Sequence, residues 1–289
     1  MKDVLLVTGC EGLMGSEILS AARDADGPGF EVRGTSHRDL DISDRHAVQA
    51  CFRESRPAYV VNCAAYRDID KAELDRDAAR RVNAEGARNL AEACAAHGTK
   101  LVHLSSHGVF DGAKSSPYLE SDSPNPLNHY AATKLQGEEY VQRALPPEQS
   151  LVLRISWPYG PRNNNFIKAI LELAKKNGSV RVVHDQIGVP NPARLLAKSI
   201  LPLAREASGL LHLSCRGHCS RYEFISRLFT LLGLGYPVFP ASVSEFPGAA
   251  VRPKNMAIAT EIASWDRLAS LPPWEEALER YIRESPEMI

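Results

Sequence analysis

In the stretch NHYAATKLQG, residues 128 to 137, a tyrosine and a lysine stand four positions apart as Tyr130 and Lys134. On a helix that spacing puts both side chains on one face. A phenol ordinarily titrates near about 10, and a neighbouring ammonium favours the phenolate, so such a pair has the chemistry of a general acid toward a carbonyl oxygen. The spacing alone is common in exposed helical turns. It gains weight from KLVHLSS upstream, a strand-like run ending in Ser105 and Ser106, because a hydroxyl beside the phenol would hold the same carbonyl.

A second constellation lies near the N-terminus. DVLLVTG is a short apolar run ending in glycine, LMGSEILSAAR has helical apolar spacing, and between them TGCEGLMG sets Gly9, Gly12 and Gly15 at three-residue intervals. Glycines placed so allow a tight turn, close approach of backbone to a pyrophosphate and close packing of helix on sheet, while the helix start, with Leu13 and Met14, attracts the anion. The second strand ends in Thr35-Ser36-His37-Arg38, where a carboxylate would suit the ribose hydroxyl of NAD(H). Arg38 instead suits a 2'-phosphate, which favours NADP(H) with NAD(H) as the alternative. Asp41 and Ile42 would flank the adenine, and the small residues Cys63, Ala64 and Ala65 at the third strand's exit would let backbone near the cofactor. Tyr66 beyond them is a further cofactor candidate, although packing at an element end explains it equally; Tyr159 and Trp265 are read as packing residues.

The elements that must position these groups repeat in order. EVRGTSH precedes SDRHAVQACFRES, AYVVNCAAY precedes RDAARRVNAEGARNLAEACAAHG, KLVHLSS precedes HYAATKLQGEEYVQRAL, and LVLRISW follows. Strand runs without polar alternation imply cover on both faces, and alternation with helices implies a parallel, doubly wound sheet with right-handed crossovers. The expected fold is therefore α/β, Rossmann-type, with a smaller C-terminal substrate-binding lobe. Residues 1–156 would form the dinucleotide-binding domain and 157–289 mainly the lobe, with about 192–214 returning to the first domain. Beyond Trp157 come PYGPRNNN, a helix in NFIKAILELAKK, a strand in VRVVHD and an irregular QIGVPNPAR; only the terminal PEMI reads as a loose end.

The totals narrow the function classes. The 289 residues carry 34 Lys and Arg against 35 Asp and Glu, a net charge of -1, and no basic tract favours nucleic acid. The opening MKDVLLVTGC is too short for a membrane span, which needs roughly 18 apolar residues, and lacks signal-peptide features, so neither membrane nor export is expected and the location is read as cytoplasmic. Six scattered cysteines read as free thiols. His212, Cys215, His218 and Cys219 lie close in sequence, but His212 alternates with leucines and Cys219 abuts a helix start, so no metal is expected.

Taken together the chain resembles the extended short-chain dehydrogenase/reductases. TGCEGLMG matches their glycine pattern, YAATK their Tyr-x-x-x-Lys, and Ser106 stands at their active-site hydroxyl. More narrowly it resembles the dTDP-4-dehydrorhamnose reductases through NCAAYRDIDKAE, SSHGVFDG, RISWPYG, NNNFIKAIL, HDQIGVP, GLLHLSCRGHCSRYEF, VRPKN and PPWEEAL, which together span nearly the whole chain. The resemblance implies NADPH-dependent reduction of a keto group on a nucleotide-linked, dTDP-type 4-keto-6-deoxysugar. It makes Tyr130 the proton donor, gives Lys134 the tasks of lowering the phenol and holding the nicotinamide ribose, and lets Ser106 orient the ketone. Trp157 would line the sugar pocket, Arg252 would face the diphosphate, and Asn165 would contact the sugar or cap a helix. A homodimer is compatible with it.

One stretch departs from the pattern. Where those reductases read Thr-Asp-Tyr before Val-Phe-Asp-Gly, this chain reads Ser106-His107-Gly108, which removes an acid and an aromatic. His107 becomes a candidate substrate contact, Gly108 would leave room for a different sugar, and loss of the carboxylate argues against a dehydratase. The alternatives are a nucleotide-sugar epimerase and a non-catalytic NADP-binding regulatory subunit similar to the β subunit of methionine adenosyltransferase. Retention of Ser106, Tyr130 and Lys134 together favours catalysis.

Overall fold

The computed structural model describes residues 2–24, 29–162, 166–262 and 271–284; Asn165, Trp265 and the PEMI terminus lie outside them. Six strands form one sheet: β1 (Val4–Thr8), β2 (Glu31–Thr35), β3 (Tyr59–Asn62), β4 (Lys100–Ser106), β5 (Ser150–Ile155) and β10 (Gly209–Leu213). Their order across it is β10-β5-β4-β3-β1-β2, every pair parallel. The uninterrupted apolar runs have a visible cause, since alternate residues serve two cores. Leu5, Val7, Val61, Val102, Leu104, Leu151 and Leu153 join one buried cluster. Leu6, Val60, Leu101 and Val152 join the other. A parallel sheet covered on both faces has no polar side to alternate with.

The helices α1 (Leu13–Arg23) and α8 (Ala193–Glu206) cover the first face, and α2 (Arg45–Ser55), α5 (Gly86–His97) and α6 (His129–Ala144) cover the second. Short α3 (Ile69–Leu74) and α4 (Arg76–Arg80) precede α5. The segment read as one helix, RDAARRVNAEGARNLAEACAAHG, is interrupted by a widened π turn at Arg81–Glu85. There α6 comes unusually near: a Cβ on Gly137 would stand 2.4 Å from the Asn83 carbonyl oxygen. Asn83 ties the turn to its surroundings by donating to the Tyr66 carbonyl and to Thr133 Oγ1 while accepting from the Tyr66 N–H.

The second half adds short strands β6 (Pro158–Tyr159), β7 (Val180–Val183), β8 (Ile187–Gly188) and β9 (Asn191–Pro192), followed by α8 and β10. Thus the stretch QIGVPNPAR, read as irregular, contains two short strands and the start of α8. Beyond β10 come β11 (Cys219–Ser220), α9 (Arg221–Leu231), β12 (Val238–Ala241) and α10 (Trp274–Glu284), with α7 (Phe166–Asn177) lying before β7. The parallel pair β7–β12 packs with α7 and α9 into a small layer of its own. Among the described residues no helix is long and apolar enough to cross a membrane.

Candidate active site

After β1 the chain passes to β2 on one side of it and later to β3 on the other, so a crevice opens where the order reverses, outside the strand ends. A cavity of about 830 Å³ occupies it. One end is the glycine loop. Gly9 has φ +64°, and a Cβ there would lie 2.7 Å from the Ala64 backbone nitrogen. Its turn therefore runs backbone against backbone along the exit of β3, which only glycine permits. The N-cap of α1 is Gly12, which supplies no side-chain hydrogen bond to the helix's first N–H groups. An unsatisfied helix start facing a cavity is a fitting seat for a pyrophosphate, so these residues fit a dinucleotide.

The cavity wall takes in Gly9, Gly12, Leu13, Met14, Asp41, Ile42, Cys63, Ala64, Ala65 and Tyr66. Gly15 acts behind it, where a Cβ would fall 2.4 Å from the Gly9 oxygen, a role in packing the helix on the loop. Arg38 is exposed and outside the wall, where Ser36 and His37 stand instead. The acid nearest the end of β2, Asp39, accepts from both the N–H and the hydroxyl of Ser36 at 2.8 Å. Burial keeps the Cys63 thiol neutral by raising its pKa strongly.

At the other end stand Ser106, His107, Tyr130, Lys134 and Trp157. Asn128 caps α6 by accepting from Ala131 N at 2.9 Å and donates to the Val251 carbonyl, which fixes where the helix begins. Tyr130 in the first turn lines the cavity with Ser106 at the end of β4, whose hydroxyl acts on the phenol. Ser106 Oγ also accepts from Gly108 N at 3.0 Å. Burial raises the Tyr130 phenol above its ordinary value and Ser106 counters only part of that. Burial and Ser106 account for the shift of the phenol, with no contribution from Lys134. The Lys134 ammonium, 3% exposed, donates to the Leu104 carbonyl at 2.7 Å. Burial pulls its own pKa down to about 8, against the pull of Glu138 one turn further along α6. Glu138 is held by Arg154 at 2.7 Å and by the Ser105 hydroxyl, so α6, β4 and β5 are pinned together directly behind the site.

His107 donates from Nδ1 to the Ile155 carbonyl at 3.1 Å, leaving Nε2 as an acceptor. Burial, with a contribution from nearby Arg221, brings its pKa down to about 4, so the imidazole is neutral where the family pattern has a carboxylate. Gly108 lines the cavity, but its Cβ direction leads to Ser106 Oγ at 3.3 Å. Trp157 has φ +27°, a strained value for a non-glycine residue, and its ring lies where a Cβ on Gly188 would be, 2.5 Å from the nearest ring atom. Arg252 reaches the cavity while paired with Asp70 at 2.6 Å. Tyr159 is not at the site; it packs on Phe224 and Tyr281 in the core.

Sequence reasoning missed Arg221, Gln186 and Asp70. Arg221 and Gln186 lie on the cavity wall far down the chain from α6, and only the Arg252 pairing reveals Asp70. The His212 cluster serves the interior. His212 Nδ1 donates toward the Tyr118 and Ala259 carbonyls, and Cys215 and Cys219 are buried. Among the described residues no group of His, Cys, Asp and Glu is placed to hold a metal ion.

A glycine loop at the switch point of a parallel sheet, facing a Ser-Tyr-Lys group across one cavity, defines the class of Rossmann-fold nicotinamide-dependent oxidoreductases. Within that class the chain belongs to the family of the RmlD substrate binding domain, whose model it matches over residues 1–286. It is 37% identical over 283 residues to a dTDP-4-keto-6-deoxy-D-glucose reductase of Streptomyces niveus, covering 96% of each chain. Identity is 34% to a dTDP-4-dehydrorhamnose reductase of Sinorhizobium fredii, again over 96% of each. The crystal structure of a dTDP-4-dehydrorhamnose reductase from Bacillus anthracis in complex with NADP superimposes with TM-score 0.92 at 35% identity, covering 98% of this chain and all of that one.

Proposed function

We propose that this protein reduces the keto group of a dTDP-linked 4-keto-6-deoxysugar with NADPH, Tyr130 being the proton donor. The observation that carries the reading is that Ser106, Tyr130 and Lys134 line the same cavity as the glycine loop. On this reading residues 1–156 hold mainly the cofactor and 157–289 mainly the sugar.

The nicotinamide, when bound, supplies the hydride. The chain's own residues do the rest. Ser106 and Tyr130 hydroxyls receive the carbonyl oxygen, and negative charge developing there draws the phenol proton. A phenol raised by burial stays protonated until that charge appears, so it is a donor at rest, and Lys134 stabilises the phenolate left behind. Lys134 would also hold the nicotinamide ribose, and the α1 N-terminus the pyrophosphate. Asp39 is committed to Ser36 instead of facing a ribose hydroxyl, and Arg38 stands beside it in sequence, which supports NADPH over NADH.

The test is consumption of NADPH against a panel of dTDP-4-keto-deoxysugars, alongside Tyr130→Phe. Turnover in the native chain that drops at least about 100-fold in the variant, with NADPH affinity unchanged, supports the reading. Tight NADPH binding with no turnover on any sugar would replace it with that of a regulatory binding subunit.

A further inference from the structure

Arg221 occupies the first helical position of α9, after the Ser220 cap, and its guanidinium faces the cavity. It stacks 4.3 Å from the Trp157 ring centroid and 5.1 Å from that of Phe166. It makes no ion pair or hydrogen bond with any described residue, and its charged neighbour is another cation, Arg252. A cation at a helix N-terminus also opposes the helix dipole. The aromatic faces offset only part of this, and an enclosed charge without a counter-ion is costly. Two further donors share its wall unsatisfied. Gln186, 3% exposed, has no partner for Nε2, and Trp157 has none for Nε1. Arg252, by contrast, is already neutralised by Asp70.

We infer that Arg221 is the principal counter-charge for the diphosphate of the nucleotide-linked substrate, with Gln186 as a supporting donor. This rests on the nucleotide-sugar reading above. The guanidinium fork presents parallel N–H groups to phosphate oxygens, and Trp157 and Phe166 hold its plane in place before the ligand arrives. Arg252 acts as a second cation whose use requires loosening Asp70.

The probes are dTDP, inorganic pyrophosphate and thymidine, titrated calorimetrically into the native chain, Arg221→Met and Arg221→Lys, each saturated with NADPH. In Arg221→Met, affinity for dTDP and pyrophosphate falls about 10- to 100-fold, thymidine and NADPH are unaffected, and Arg221→Lys recovers part of the loss because it restores charge without the fork. Unchanged dTDP affinity in Arg221→Met would overturn the assignment, as would an equal loss for thymidine, which reports general damage to the pocket. The two readings fail separately. Arg221-dependent binding of dTDP and pyrophosphate without ketone reduction leaves this assignment standing and removes the proposed reaction; reduction that persists with dTDP affinity independent of Arg221 does the reverse.

Discussion

Replacing Lys134 by methionine should make the ligand-free protein more stable while abolishing its reaction. The lysine's pKa falls from 10.5 to about 8 on folding, because burial disfavours the ammonium. Between those values the unfolded chain holds a proton that the folded chain does not, so this group makes stability rise with pH from 8 to 10.5 and is a net cost below 8. At pH 7 the cost is about 3 kcal/mol and at pH 9 about 2 kcal/mol, each tenfold loss of proton affinity on folding being worth about 1.36 kcal/mol. Against this, the variant leaves the Leu104 carbonyl without the 2.7 Å bond from Lys134, a loss of about 1 kcal/mol. The net expectation is a gain of about 2 kcal/mol at pH 7 that shrinks by about 1 kcal/mol by pH 9, the shrinkage being free of any packing difference. Urea denaturation of both chains without cofactor, at several pH values from 6.5 to 9, measures it directly. A variant less stable at pH 7, or a stability gap that does not change with pH, would refute the claim that Lys134 is a desolvated charge.

The interior behind the site gives a prediction of opposite sign: Glu138→Gln leaves Arg154 buried without its partner, both side chains being at most 3% exposed, and should cost about 3–5 kcal/mol in denaturation. A loss below about 1 kcal/mol would mean the pair is not pinning α6 to β5. His107, neutral above about 4, should contribute no inflection to the pH profile of kcat/KM between pH 5.5 and 8, and His107→Asn should leave the shape of that profile unchanged. An inflection near 6.5 that vanishes in the variant would show that the imidazole titrates during turnover.

The sheet was legible because strands buried on both faces have no room for polar alternation, and the glycine loop because Gly9 has no substitute against the Ala64 backbone. Ser106, Tyr130 and Lys134 were legible because one strand end and one helix turn carry all three. What was not legible arises from distance in sequence. The π turn at Arg81–Glu85 follows from how closely α6 packs at Gly137, which helical propensity cannot express. The phenol's raised pKa reflects its burial in the folded chain, which the four-residue spacing to Lys134 cannot express. Arg221 is 64 residues from Trp157 in sequence, and only the fold sets the two together.

These departures share a sign. In the cavity Lys134 is brought down to about 8, Arg221 to about 10 and His107 to about 4, each moved toward its neutral form by enclosure. The wall offers two carboxylates to offset them, Glu11 and Asp41, the latter engaged with Ser43, while Asp70 off the wall is held by Arg252. A cavity that destabilises its own cations is matched to ligands that bring anions. The proposed cofactor and substrate each carry a pyrophosphate, and the two predicted seats are distinct, the α1 N-terminus for one and Arg221 for the other. Each ligand then relieves a different part of the cost, and filling either seat should raise the pKa of the cation nearest to it. Stability gained on binding NADPH should accordingly be larger below pH 8, where Lys134 must be charged, than at pH 9.5, and the gain should lose that pH dependence in Lys134→Met.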